Sequence, residues 1–234
     1  FMGEASLAHI ALRSPEPVHT ESQPILALRN LEVRYPVKRN LFGIPTEWVY
    51  AVNDVSLTIS KGQTIGLVGE SGCGKSTIGK AIVRLIKQHA GDILFEGRNI
   101  NELSGAALQE YRSNVQLIFQ DPYASLNPRI TVGQAIMEVL NFHSAHLSKA
   151  ARKEKALFLL NKVGLAENQF TKYPHEFSGG QRQRVCIART LAVDPKLIVC
   201  DESVAALDVS VQAQVLNLLN DLKQEFGLTY VFIS

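Results

Sequence analysis

Apolar positions along this chain change their period several times, and each change marks an element. Leu31-Glu32-Val33-Arg34-Tyr35 alternates, as do Val55, Leu57 and Ile59, so both segments read as half-buried antiparallel strands joined by a long insert that contains Trp48. Residues 64–68 form a short apolar run with β-branched members, after which Ile78, Ala81, Ile82, Leu85 and Ile86 recur at helical spacing. Val115-Gln116-Leu117-Ile118-Phe119 is a second apolar run. Val132, Ile136, Val139 and Leu140, then Ala156, Leu159, Leu160 and Val163, recur with helical periods, punctuated by Gly164 and Pro174. Val185, Ile187, Ala188 and Leu191 predict another helix. Leu197-Ile198-Val199-Cys200 is a continuous apolar stretch of the kind that forms a strand buried on both faces. Ser14-Pro15-Glu16-Pro17 and Ser22-Gln23-Pro24 break any regular element, so residues 1–24 read as a linker and ordered structure is expected from Ile25.

Chemistry enters where these elements meet. Gly69-Glu70-Ser71-Gly72-Cys73-Gly74-Lys75-Ser76-Thr77 lies between the strand at 64–68 and the following helix. In that setting Gly-x-x-x-x-Gly-Lys-Ser wraps backbone N–H groups around phosphates, Lys75 reaches the β/γ oxygens and Ser76 holds Mg²⁺. Ser178-Gly179-Gly180-Gln181 opens a helix whose positive end can face a second anion. Asp201 and Glu202 follow the buried run at 197–200, at the strand edge where open α/β sheets bind ligands. Beside a phosphate loop, Asp201 is placed to bind Mg²⁺, directly or through water, and Glu202 to polarise the water that attacks a γ-phosphate.

With these three elements in this order, residues 28–234 resemble the nucleotide-binding subunits of ATP-binding-cassette transporters. The resemblance implies an α/β fold: a P-loop NTPase core with a mostly parallel sheet, an antiparallel β subdomain, and a helical subdomain over about 121–177. Phe177-Ser178-Gly179-Gly180-Gln181 looks like the family's signature sequence, with Phe in place of the usual Leu. Gln120 matches the family's Q-loop glutamine, which touches Mg²⁺ or the attacking water, and Ala206-Leu207-Asp208 the loop that crosses between subunits. Members stack adenine on an aromatic near the first strands; Tyr35 is the first choice and Tyr50 the second, the alternative for each being packing on the sheet. The implied cofactors are ATP and Mg²⁺, with catalysis by Glu202 and Gln120, metal contacts from Ser76, Gln120 and Asp201, and nucleotide contacts from Tyr35, residues 69 and 71–77, and Ser178 to Gln181.

Three stretches narrow the resemblance: the phosphate loop, Gln120-Asp121-Pro122-Tyr123-Ala124-Ser125-Leu126-Asn127-Pro128-Arg129, and Asp208-Val209-Ser210-Val211-Gln212-Ala213-Gln214. They look like the ATPases of dipeptide, oligopeptide, nickel and glutathione importers. That implies a second ATPase subunit facing head-to-tail, two membrane-spanning permease subunits, indirect dependence on an extracytoplasmic solute-binding protein, and a peripheral place on the cytoplasmic face of the cell membrane. The edge from Tyr123 to Arg129 is the implied permease contact. Two residues depart from the pattern: Ser203 stands where proline is usual and Ala205 where serine is commoner. The family's switch histidine follows a final strand; residues 229–233 match that strand, and the given sequence stops before the histidine. The soluble members that act on DNA or ribosomes are the alternative reading, but the interval from Gln120 to Ser178 is too short for an inserted coiled coil.

Composition adds exclusions. The 234 residues carry a formal charge of +2, which argues neither for nor against a polyanion partner, and the importer resemblance implies no nucleic acid. No run reaches the roughly eighteen apolar residues that span a bilayer. Cys73, Cys186 and Cys200 form no close pair, so neither a disulfide framework nor a zinc knuckle is indicated. Cys73 lies in the phosphate loop, where Lys75 and a helix N-terminus favour thiolate, or is a variable loop position. His143 and His146 read as polar positions of a helical region.

Overall fold

The computed structural model describes residues 24–39, 45–203 and 207–234. The expected linker over 1–24 lies, apart from Pro24, outside them, as do Ala205 and Ala206. The described residues form two sheets. One is antiparallel, in the order β2-β1-β4-β5, from β1 (Leu26–Arg39), β2 (Pro45–Ile59), β4 (Ala90–Phe95) and β5 (Arg98–Asn99). The other is parallel, in the order β3-β8-β7-β6, from β3 (Thr64–Leu67), β6 (Val115–Ile118), β7 (Leu197–Asp201) and β8 (Thr229–Ile233). Six α-helices accompany them: α1 (Lys75–Ile82), α2 (Gly105–Asn114), α3 (Val132–His143), α4 (Lys149–Lys162), α5 (Gly179–Leu191) and α6 (Val209–Phe226).

All five residues of β7 are buried, because both faces of its sheet are covered. The pleat splits them between two cores. Leu197 and Val199 join Ile78, Ala81 and Ile82 of α1 and the inward face of the β1–β2 hairpin. Ile198 and Cys200 join α3, α4, α5 and α6. A strand that reads as uniformly apolar is thus two period-two patterns facing different partners.

Two expectations need correction. The insert predicted between the first strands is, from Pro45 on, a continuation of the hairpin: Trp48 lies in β2 opposite Pro36, and the Arg34 guanidinium sits 4.2 Å from its ring centroid. That cation–π contact offsets the exposure of a strand extension with no core beneath it. The helix after the phosphate loop ends at Ile82, so Leu85 and Ile86 are not helical. Arg84 takes a positive φ of 57° and its Nη1 donates to Leu103 O at 2.8 Å, while the Tyr111 hydroxyl donates to Ile82 O. The Tyr111 hydroxyl therefore satisfies a carbonyl, that of Ile82, which a longer helix would have used itself.

Between residues 121 and 178, α3 and α4 pack on each other and on α5. Thr131 and Gln134 form a capping box at the start of α3, and Ser148 caps α4.

Candidate nucleotide and catalytic site

The site forms at the C-terminal edge of the parallel sheet, where β3 runs into the glycine loop and β7 ends at its acids. Gly74, immediately before α1, has φ 95°, and a Cβ there would lie 2.0 Å from Ala51 O. Only glycine lets the loop turn into the helix while pressed against the backbone of β2. Lys75 Nζ donates to the carbonyls of Gly69 at 2.6 Å and Glu70 at 2.8 Å, and lies 3.8 Å from Cys73 Sγ. The lysine is thus held over its own loop, with the exposed Cys73 thiol beside it.

Each acid makes a sequence-distant hydrogen bond, Asp201 to this loop and Glu202 to the segment after β6. Ser76 Oγ donates to Asp201 Oδ1 at 2.7 Å, and Asp201 is only 8% exposed. Gln120 Nε2 donates to Glu202 Oε2 at 2.7 Å. Glu202 has a positive φ of 45°, and its N–H donates to Ile233 O at 3.0 Å. A left-handed glutamate costs about 1–3 kcal/mol of backbone strain, which the surrounding strands must offset. A cavity of about 130 Å³ is lined by Gly72, Gly74, Lys75, Ser76, Thr77 and Glu202. A larger one of about 460 Å³ is lined by residues that include Gln120, Asp201, Phe119 and Asp121.

Neither candidate for adenine stacking lines the smaller cavity. Tyr35 is 43% exposed opposite Val49, and Tyr50 is 51% exposed opposite Arg34.

Ser178 to Gln181 stand apart from this cluster; Ser178, Gly180 and Gln181 line with Gly164, Arg184 and Val211 a separate cavity of about 270 Å³. Ser178 Oγ accepts from Gln181 N at 3.4 Å, and Gln181 Oε1 accepts from Ser178 N at 3.0 Å, a reciprocal cap of α5. The N–H groups of Gly179 and Gly180 are the uncapped pair of this helix end. Gly180 has a packing reason as well: a Cβ there would lie 2.4 Å from Val211 Cγ1 of α6. Asp208 caps α6. The Ser210 hydroxyl first, and the Val211 N–H after it, hold the exposed Asp208 carboxyl below the ordinary carboxylate range. Of the expected crossing segment, only Leu207 and Asp208 are described.

Sequence reading missed the arginines of α5 and the turn at Asp121. Arg184 Nη1 donates to Val163 O at 3.0 Å, tying α5 to the end of α4. Arg189 Nη1 donates to Ser125 O at 2.5 Å, and Asp121 Oδ1 accepts from Tyr123 N at 2.7 Å and Ala124 N at 3.2 Å. The spacing of Arg182, Cys186 and Arg189 at i, i+4 and i+7 was the available signal of a shared helix face. His143 ends α3 with Nδ1 2.9 Å from Ser113 Oγ, and burial lowers its pKa. Among the described residues no three His, Cys, Asp or Glu side chains cluster together.

A sequence profile of the ABC transporter family matches residues 52–205, from β2 through the acids that end β7. The chain belongs to the ABC transporter family. Curated relatives include the glutathione import ATP-binding protein GsiA of Pectobacterium atrosepticum, 53% identical over 218 residues, which are 93% of this chain and 34% of that protein. Its namesake in Escherichia coli K12 is 48% identical over 232 residues, 98% of this chain and 37% of that one. The chain spans about a third of the length of these relatives. Among solved ABC structures, a dimeric ATP-binding cassette in a post-hydrolysis state with ADP and Pi is 30% identical, with a TM-score of 0.76 over 89% of this chain and 87% of that one. A cassette from Clostridium perfringens, part of the transporter complex cbiONQ, is 26% identical, with a TM-score of 0.75 over 91% of this chain and 79% of that one. The α/β architecture of parallel core, antiparallel sheet and helical segment is the ABC ATPase fold.

Proposed function

We propose that this chain is the ATP-hydrolysing cassette of a membrane importer that takes up peptides or related small solutes, glutathione and nickel included. The observation that carries the reading is the pairing of Ser76 with Asp201 and of Gln120 with Glu202 around the Lys75 loop. The names of the curated relatives support the importer over a soluble family member acting on DNA or ribosomes.

In this reading Lys75 exchanges its loop carbonyls for the β/γ oxygens of ATP, and the loop N–H groups from residues 69 and 71–77 cradle the phosphates. Ser76 Oγ and the nearly buried Asp201 carboxylate are hard oxygen donors already in register, and Gln120 adds an amide oxygen, so the donor set fits Mg²⁺. Ser76, Gln120 and Asp201 would hold the ion, whose chemistry there would be to neutralise charge on the phosphate oxygens. Glu202 polarises the attacking water, and Gln120, hydrogen-bonded to it, sets the orientation of the carboxylate. Tyr35, or failing that Tyr50, stacks on adenine.

Ser178, Gly180 and Gln181 line a cavity of their own, so the phosphate met by residues 178–181 is one held by the Lys75 loop of a facing subunit. Head-to-tail closure of two such subunits completes each site and does work on two permease subunits; hydrolysis releases it. No helix among the described residues is long and apolar enough to cross a membrane. In this reading attachment at the cytoplasmic face runs through the permease pair, which receives its solute from an extracytoplasmic binding protein.

The test is purification of the natural full-length polypeptide from membranes. Two membrane-spanning proteins are expected to accompany it, and peptide or glutathione is expected to stimulate its ATPase in reconstituted vesicles carrying the binding protein. Purification without membrane proteins, or with DNA or ribosomes in their place, overturns the importer reading.

A further inference from the structure

Three contacts join one face of α5 to the turn that follows Gln120. The Arg182 guanidinium lies 4.9 Å from the Tyr123 ring centroid, the Cys186 thiol lies 3.8 Å from Pro122 O, and Arg189 donates to Ser125 O. The turn is rigid in its own right, since the Asp121 carboxylate accepts two of its N–H groups and Ser125 Oγ donates back to Asp121 O at 2.7 Å. Arg182 has a second grip. Its Nε donates at 2.9 Å to Pro174 O, in the short 3₁₀ turn just before Phe177 and Ser178. One guanidinium therefore spans the exposed docking edge, where Tyr123 is 55% exposed, and the segment that leads into the signature turn.

We propose that Arg182 is a positioning residue that sets the signature turn, Ser178 to Gln181, according to the position of the Asp121–Ser125 turn. This rests on the importer reading for its purpose and deepens it. A permease segment that displaces Tyr123 then acts on two sites at once. Through Gln120 it reaches Glu202 of its own subunit, and through Arg182 it reaches the signature turn that faces the partner's nucleotide. The planar guanidinium suits this task because it stacks on an aromatic face while its edge donates to a carbonyl; a lysine ammonium cannot do both in one geometry.

The experiment uses the natural full-length polypeptide with its membrane partners and four variants: Arg182→Lys, Tyr123→Leu, Tyr123→Phe and the double variant Arg182→Lys/Tyr123→Leu. The first readout is amide hydrogen exchange over residues 174–181, with residues 185–191 as the reference for an intact α5. An exposed cation–π contact is worth about 0.5–1 kcal/mol, so Arg182→Lys and Tyr123→Leu are each expected to speed exchange there about two- to fivefold. Tyr123→Phe, which keeps the ring, is expected to match wild type. The double variant is expected to be no faster than the faster single one, because both remove the same contact. The second readout is ATPase, in which kcat falls by a similar factor at an unchanged KM for ATP. Wild-type exchange over 174–181 in Tyr123→Leu, or multiplication of the two single effects in the double variant, overturns the proposal. Absence of ATPase from wild type counts against the importer reading alone, since the exchange cycle still decides the role of Arg182.

Discussion

The Lys75 loop and the signature turn are both glycine-rich helix starts fit to meet phosphate, yet they are built in opposite ways. At the Lys75 loop Lys75 rests on its own loop carbonyls, while the other functional side chains find partners across the fold: Ser76 on Asp201, and Gln120 on a left-handed Glu202. At the signature turn Ser178 and Gln181 satisfy each other within one helical turn, and no residue from 178 to 181 has a positive φ. In the proposed reading, the first site stores strain and charge for chemistry, whereas the second is a relaxed surface that offers backbone N–H groups to a ligand held elsewhere. Its dependence on the rest of the fold enters through packing on α6 and the arginines of α5.

If the strained side carries the chemistry, Glu202→Gln is the largest single loss. The amide keeps a hydrogen-bonding partner for Gln120 but cannot act as a base, so turnover is expected to fall roughly 10²-fold or more with ATP affinity retained. Steady-state hydrolysis beside nucleotide titration decides it; unchanged turnover removes Glu202 from that role.

Lys75→Ala comes next and separates the two sides in binding rather than rate. A hydrogen bond to a charged group is worth about 1.5–3 kcal/mol, so ATP affinity is expected to drop about ten- to a hundredfold, with thermal stability little changed. A matched loss of affinity in Ser178→Ala would erase the distinction between a holding and a covering site in the isolated subunit.

The accessible thiol sharpens the comparison further. Maleimide at pH 7.5 is expected to modify Cys73 and to be blocked by prior MgATP. Cys186 and Cys200 stay unmodified, because burial pushes their thiols up to about 11 and about 12. Peptide mapping gives the answer, and equal Cys73 labelling with and without nucleotide would place it away from the phosphates. The same two thiols fix a sign for stability against pH. Their folded values lie above the ordinary thiol value of about 8.5, so their contribution is fully present below that pH and is lost as pH rises from there toward 11 and 12.

The smallest effect concerns the relaxed side. Gly180→Ala drives a methyl into Val211 and is expected to cost about 1–3 kcal/mol of stability by overpacking, read as a lower Tm. A Cβ on Gly179 meets Leu207 Cδ2 at an ordinary 3.4 Å, so Gly179→Ala is expected to leave Tm near wild type. Equal shifts for the two would mean that α6 does not press on the signature turn.

What the amino-acid order determined by itself is whatever rests on neighbours along the chain. The strand, glycine loop and helix around Lys75, the Ser178–Gln181 cap, the buried run ending at Asp201 and the periods of α3, α4 and α5 all depend on residues within a turn or two of each other. The tertiary structure alone decided the rest. It set the sheet order β3-β8-β7-β6, the pairing of Ser76 with Asp201 and of Gln120 with Glu202, the continuation of β2 through Trp48, the early end of α1, and the bridge from Tyr123 through Arg182 to Pro174. The reason is physical: period and propensity say which face of an element is buried, not which partner covers it. A carbonyl or carboxylate satisfied from a distant segment leaves no local trace in the order of residues.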